Sequence, residues 1–360
     1  LSLVYPASET VSSGLVDKFT RRVQLTGGST FVVSLPAEWV KAVGLKPKQE
    51  LYIVPQSDLS LLVLVGGKES ELAEGLVNAA NCADGEEALR EFIANYIAGY
   101  DSIKIKCEIG DFRHRLKSQV REKLIGVEIV EETSEYVVIQ CLHGDVDLPL
   151  NKALRRMALL VTAMLQDSVR ALLTLDSQLA EEVINRDDEV DRFAYYIFRQ
   201  LNRSLLNPVL IQNTGMKNIR EFMPFTILVR SVERIADHAT QIASSARELQ
   251  GIELDDKVVE QINRLATNSQ SLFERSMDAV YTLDPKGAND VIRGVGQILN
   301  IEENLTQLLF ASKLDAKSVS LLRLGLESLR RVAEYSADIC EVVVDVSVSS
   351  KLRLNQQGAD

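Results

Sequence analysis

Along residues 18–65 apolar and polar positions alternate, the period of a half-buried strand. From residue 149 onward apolar positions recur every third or fourth residue, the period of a helix. In the first stretch RRVQL and FVVSLP predict two strands joined across TGGST. Pro36 ends the second strand and precedes a short amphipathic helix, AEWVKAVGL, closed near Gly44. KPKQ then turns the chain into LYIVP and, after QSD, into LSLLVLV. The order is strand, strand, short helix, strand, strand. About fifty residues with so many open edges rarely form a core alone, so this segment predicts a partner chain.

Between residues 66 and 147 the pattern mixes both periods. EEALREFIANYIAGY predicts a helix with Leu89, Phe92, Ile93 and Ile97 on one side, and DSIKIKCEI a strand. FRHRLKSQVREKLIG predicts a basic helix carrying Arg113, Arg115, Lys117, Arg121 and Lys123, a solvated face offset by neighbouring glutamates. VEIVEET and YVVIQCL predict further strands, giving a small α+β unit with one mixed sheet and helices on one face. In the last part PLNKALRRMALLVTAMLQDSVRALL opens a run of six helical segments, the others being 178–206, 218–249, 254–283, 286–312 and 316–347. Breaks fall at Asn207-Pro208, Gly251, Asp284-Pro285 and around Lys313, and Pro224 opens or kinks its helix. Residues 183–191 (VINRDDEVD) align with 298–306 (ILNIEENLT), and 231–243 (SVERIADHATQIA) with 328–340 (SLRRVAEYSADIC). The helical part therefore reads as two three-helix bundles duplicated in tandem. The domains expected are 18–66, 67–148 and 149–349.

Composition changes this picture little. An apolar share of 46% and a charged share of 25% are those of a soluble globular chain. No apolar run reads as long and uncharged enough for a bilayer, and a basic-then-apolar secretion signal is not seen, so a cytoplasmic location without membrane insertion is expected. Residues before about Val16 read as a tail. Cys82, Cys107, Cys141 and Cys340 show no CxxC spacing and predict reduced thiols. The net charge of -11 excludes a surface that coats nucleic acid but not one small basic module.

Candidate chemistry lies in two acid pairs one helical turn apart, Asp187 with Asp191 and Glu233 with Asp237. Residues at that spacing share a helix face, and like charges there destabilise the fold unless protons or a cation neutralise them. Asp187 and Asp191 fall on the apolar stripe of Val183, Ala194, Phe198 and Leu201, where a solvated acid fits poorly. Glu233 and Asp237 sit at the edge of the stripe Leu228, Val232, Ile235, Ala239 and Ile242. A cluster of carboxylates alone favours iron, manganese, magnesium or calcium. The alternative is surface acids paired with Arg186, Arg192, Arg230 or Arg234. Asp188 and His238 are adjacent but point elsewhere on the helical wheel, and remain weaker candidates.

Two resemblances add to this. TGGSTFVVSLPAEWVKAVGLKPKQELYIV resembles the SpoVT/AbrB-type swapped-hairpin β-barrel, with its Pro-ended strand, short helix and G-hydrophobic-K-P turn. That resemblance implies an intertwined homodimer that binds DNA, with Lys18, Arg21, Arg22, Lys41, Lys46 and Lys48 as candidate phosphate contacts. It also carries a departure, since Lys48 stands where the family commonly has Gly. The E/D-x-x-x-D pairs and ERIADHATQIA resemble the PhoU family of phosphate-uptake regulators over about residues 149–349, and the combination looks like archaeal PhoU-like regulators bearing a SpoVT/AbrB domain. This implies a multinuclear metal cluster held by Asp187, Asp191, Glu233 and Asp237, with iron foremost and zinc, manganese or magnesium as alternatives. The second unit departs from the pattern, having Glu302 and Thr306, then Arg330 and Glu334, with Glu303 nearby. Arg330 puts a fixed positive charge in the second site, so Glu302 and Glu334 are expected to form an impaired or empty one.

Ser-His-Asp, Cys-His and GxxxxGK[ST] arrangements do not stand out, and His114, His143 and His238 sit in no HxxxH or ExxH pattern. Catalysis is not expected. The expected function is a metal-binding regulator of phosphate homeostasis that binds DNA as a dimer. The alternative is an adaptor that inhibits a phosphate ABC transporter ATPase or a regulatory kinase by direct contact.

Overall fold

A computed structural model of the chain describes residues 18–55, 60–65, 73–108, 110–142, 148–206, 210–216, 219–249 and 252–357. The chain divides into two compact units, residues 1–71 and 72–360.

In the first unit β1 (Gln24–Thr26) pairs antiparallel with β2 (Thr30–Val32), and the turn between them places Gly27 and Gly28 at φ of 63° and 85°. Glycine adopts that left-handed region without the Cβ clash other residues meet. Helix α1 (Ala37–Ala42) follows Pro36, and β3 (Leu51–Pro55) pairs antiparallel with β4 (Leu61–Val65). Among the described residues of one chain the four strands close no barrel and form two separate two-stranded ladders of three and five residues. Lys48, where the resemblance places Gly, adopts the left-handed φ of 70°. No described residue of this unit is buried, and Phe31 and Leu61 are 76% and 64% exposed.

The second unit opens with β5 (Glu74–Asn78), a 3-10 turn, α2 (Gly85–Ala98), β6 (Ser102–Lys106), α3 (Asp111–Lys123), β7 (Val127–Glu132) and β8 (Tyr136–Cys141). The sheet order is β5-β6-β8-β7, parallel between β5 and β6 and antiparallel elsewhere. Asp84 starts α2 by accepting from the Glu87 amide at 2.8 Å, which satisfies one of the free N–H groups of the first turn. Val77, Phe92, Tyr96, Ile103, Ile105, Val137 and Ile139 form the core of this layer. One residue of the basic helix departs from the solvated reading. Arg113 is buried and donates to the carbonyls of Cys107, Thr133 and Ser134, because α3 presses its start against the β7–β8 turn. Lys117 does meet a glutamate, Glu132, at 2.7 Å.

Long helices follow: α4 (Leu150–Thr174), α5 (Ser177–Leu206), the short α6 (Ile211–Thr214), α7 (Phe222–Glu248), α8 (Asp256–Thr282), α9 (Pro285–Phe310) and α10 (Ala316–Gln357). Pro224 lies in the first turn of α7, where a missing N–H costs no helical bond, and so opens the helix. Asp284 accepts from the Lys286 amide at 2.9 Å and Pro285 begins α9, which fixes the break between the two helices there. α4, α5 and α7 pack together, as do α8, α9 and α10, and the two trios join through α7 and α10 over one continuous apolar core. Among the described residues α4 is long and apolar enough by composition to cross a bilayer, contrary to the sequence reading. Half of that stretch is buried in the bundle, with Met157, Val161, Met164 and Leu165 in the core.

The α+β layer is fastened to the bundle rather than forming a separate body. α2 and α3 pack on α5, Arg199 Nη1 donates to Tyr96 O at 2.7 Å, and Asn202 Nδ2 donates to Ile97 O at 2.8 Å. Gly99 ends α2 at φ 103°, and a Cβ there would lie 2.9 Å from Arg203 Cγ. The division expected at residue 148 is therefore bridged by polar and apolar contacts, and α10 runs beyond 349 to Gln357.

Candidate metal centre

Val183, Val190, Ala194 and Ile197 bury one face of α5, and Asp187 and Asp191 lie half-buried at its margin. Val232, Ile235, Ala236 and Ala239 do the same on α7, and Glu233 keeps only 17% of its side chain exposed. Because α5 packs on α7, the two acid pairs face one another. Burial, then the charge of Asp237, then that of Asp191, push Asp187 up to about 7. Burial and the charge of Glu233 push Asp191 up to about 6. Burial raises Glu233 against the opposing pull of Arg230, and burial with the Asp191 charge raises Asp237. Four carboxyls thus hold their protons more tightly than free acids do, the mark of desolvated like charges in one place.

Their neighbours are few. Tyr195 Oη donates to Asp191 Oδ2 at 3.2 Å, and the Thr240 hydroxyl beside Asp187 favours its ionised form. Arg230 pairs with Glu233 at 2.8 Å. Arginine pairing does not account for the other three acids among the described residues, since Arg186 turns to Asp167 at 2.6 Å and Arg234 lies over the Tyr335 ring. The weaker candidates look away, as their wheel positions implied. Asp188 meets Lys123 of α3 at 2.5 Å, while His238 faces α10, with Nδ1 3.3 Å from Ser328 Oγ and its ring stacked on Tyr335.

An oxygen-only donor set with excess negative charge fits a hard cation. Among the described residues no three His, Cys, Asp or Glu side chains close around one point, so this is an opposed acidic face rather than a finished cage. Sequence reasoning missed Tyr195 and Lys123. Tyr195 stands one turn after Asp191 and could have been read from that spacing. Lys123 comes from another layer, and no local pattern announces it.

The second three-helix bundle is arranged differently. Arg323 donates to Glu302 at 2.6 Å and also to Thr306 Oγ1, and Glu334 accepts from Arg330 and, at 2.6 Å, from Arg331. Glu303 is exposed. The acids of this site already have fixed cations. In the N-terminal unit Lys18, Arg21, Arg22, Lys41, Lys46 and Lys48 are all exposed, with Arg21 donating to the Thr20 carbonyl at 3.0 Å.

Comparison with known proteins places these features in company. Residues 154–246 match the PhoU domain, and residues 24–65 match the family described as antidote-toxin recognition MazE, bacterial antitoxin. A PhoU homologue of the phosphate-specific transport system from Clostridium acetobutylicum is 23% identical over 210 residues, which cover 57% of this chain and 94% of that protein. A homologue from Caulobacter vibrioides is 35% identical over 106 residues, covering 29% of this chain and 43% of that one. The crystal structure of PhoU from Pseudomonas aeruginosa aligns with a TM-score of 0.50 at 21% identity, over 56% of this chain and 96% of that one, a likeness of fold.

Proposed function

The chain is a PhoU-family protein with an N-terminal AbrB-like domain, and from that premise we propose that it regulates phosphate transport as a cation-binding, DNA-binding dimer. The observation that carries the cation is the mutual pressing of Asp187, Asp191, Glu233 and Asp237, where Arg230 pairs with Glu233 and the charges of Arg234 and Lys123 give only partial relief. These four hold the ion, and when bound it supplies the positive charge that lets all of them ionise together. Tyr195 orients Asp191, and the packing of α5 on α7 sets the distance between the pairs. The second site takes no ion, because Arg323, Arg330 and Arg331 already balance its acids.

Pairing of chains is supported by the N-terminal unit, which exposes Phe31, Tyr52, Ile53 and Leu61 and buries none of its described residues. Such a surface calls for a second copy to interleave with it. Residues 18–65 carry six lysines and arginines against three acids, in a chain whose net charge is -11, so the positive charge is concentrated on the paired module. Phosphate contacts from that module give salt-dependent affinity for DNA.

The test is metal analysis of the purified chain beside an Asp187→Asn/Glu233→Gln variant, with phosphate uptake measured in cells carrying each. Bound metal in the wild type, its loss in the variant and altered uptake are expected. Equal metal content and equal uptake in both would overturn the cation reading. Binding to the chain's own promoter region at fixed salt tests DNA recognition, and no sequence preference with or without metal would leave only the dimerising role.

A further inference from the structure

The acidic face is not built by the helical bundle alone. The Tyr195 ring packs against the α+β core, whose buried members include Phe92 and Tyr96, while its hydroxyl donates to Asp191 Oδ2 at 3.2 Å. From the same layer Lys123, the last residue of α3, reaches across to Asp188 at 2.5 Å. Burial disfavours the Lys123 ammonium, but its bond to Asp188 and the charges of Asp188, Asp191 and Glu86 outweigh this and raise its pKa. A lysine supplied by another layer thus acts on the edge of the acid cluster.

We propose that Lys123 is a built-in counter-cation of the acidic face, so that cation binding and the seating of α3 on α5 oppose each other. This rests on the cation reading above. With no ion bound, the unbalanced carboxylates attract Lys123 and hold the end of α3 against α5. An ion on Asp187, Asp191, Glu233 and Asp237 cancels much of that field, and the hold weakens. Coupling between two such events is reciprocal, so Lys123 must weaken cation binding by the factor by which the cation weakens the α3 contact. The pair is partly exposed, with side-chain accessibilities of 26% and 58%, which places the coupling at the low end of its usual range, about fivefold. A charge change on the bundle thereby becomes a change in the α+β layer, which follows the N-terminal module directly in the chain.

The experiment titrates Mn2+ into the full-length wild type, Lys123→Met and Lys123→Arg by calorimetry, and follows amide exchange over α3 with and without Mn2+. Lys123→Met should bind Mn2+ about fivefold more tightly, Lys123→Arg should match the wild type, and Mn2+ should speed exchange at the end of α3 in the wild type only weakly mirrored in Lys123→Met. Unchanged affinity in Lys123→Met, or α3 exchange indifferent to Mn2+ in the wild type, would overturn the counter-cation role while leaving the metal site standing. No Mn2+ binding by the wild type or either variant would overturn the cation reading itself, and this inference with it.

Discussion

Arg330 donates to Glu334 one turn along α10, at the two positions that the internal repeat equates with the like-charged Glu233 and Asp237 of α7. One unit thus carries its positive charge covalently, and the other leaves acids in want of one. Restoring the first unit's acids to the second should transfer that want. Thr306→Asp with Arg330→Glu should lower the melting temperature of the metal-free chain by roughly 2–4 °C, about 1 kcal/mol for a body of this size. Mn2+ should recover the loss by binding the folded form. Scanning calorimetry with and without chelator checks this, and a variant that melts identically in both would count against the equivalence of the sites.

The first three-helix bundle predicts an unusual pH response for the metal-free chain. Asp187 and Asp191 hold their protons up to about 7 and about 6 when folded, well above their unfolded range. Between roughly pH 4 and 7 the folded state therefore binds more protons than the unfolded state, and stability falls as pH rises through that window. Screening at a half-buried site reduces the effect to about 1–2 kcal/mol. Urea melts in chelator at pH 5 and pH 8 should show the higher midpoint at pH 5. Asp187→Asn should shrink the difference by raising the pH 8 value, since the amide carries no charge to repel.

Much of this was legible in the chain itself. The six long helices follow from apolar spacing alone, and Asp284-Pro285 marked its own break, because capping and proline act locally. The four-acid face was legible because helical spacing fixes which residues share a side, and the repeat aligned α5 with α9 and α7 with α10. What stayed hidden depends on contacts between layers. Arg113 looked like part of a solvated run until α3 met the β7–β8 turn. The strand Glu74–Asn78 is five residues long and contains Gly75, too little pattern to stand out. Lys123 could not be assigned to Asp188 from sequence, because the two lie sixty-five residues apart.

Trp39, the single tryptophan, lies in α1 of the N-terminal unit and reports on that unit alone. Lys48 there adopts a φ of 70°, a conformation costly for a residue with a Cβ. Lys48→Gly should raise the stability of the module by about 0.5 kcal/mol, the relieved strain less the extra freedom glycine has when unfolded. Trp39 fluorescence during urea unfolding measures the shift, and a lower midpoint would mean that the lysine side chain contributes a contact outweighing its strain.

Phe31 is 76% exposed on β2, and a charge in its place tests whether a second chain covers it. Burying a carboxylate without a partner costs several kcal/mol, which exceeds what most single interface residues contribute. Phe31→Glu should therefore move the chain from dimer to monomer at micromolar concentration by analytical ultracentrifugation. Helical content from α4 to α10 should be unchanged, because these helices bury an apolar core of their own. A variant that sediments as the wild type does would place the chain-pairing surface elsewhere.

Arg199 joins the α+β layer to the bundle through one guanidinium. It donates to Tyr96 O at 2.7 Å, lies 4.9 Å from the centre of the Tyr96 ring, and sits 3.9 Å from Asp101. The arginine is 3% exposed, so these interactions are little screened, and its stem fills space between α5 and α2. Arg199→Leu keeps much of the packing but removes the charged donor and the cation over the ring. Loss of a buried charge-assisted bond costs about 2–3 kcal/mol. That loss should fall on the joint rather than on either core. Amide exchange should quicken across α2, β6 and the facing turn of α5, while α8, α9 and α10 keep their protection, because they pack chiefly on α4, α7 and one another rather than on α5. Uniform quickening through all helices would mean that the two layers fold as one inseparable unit.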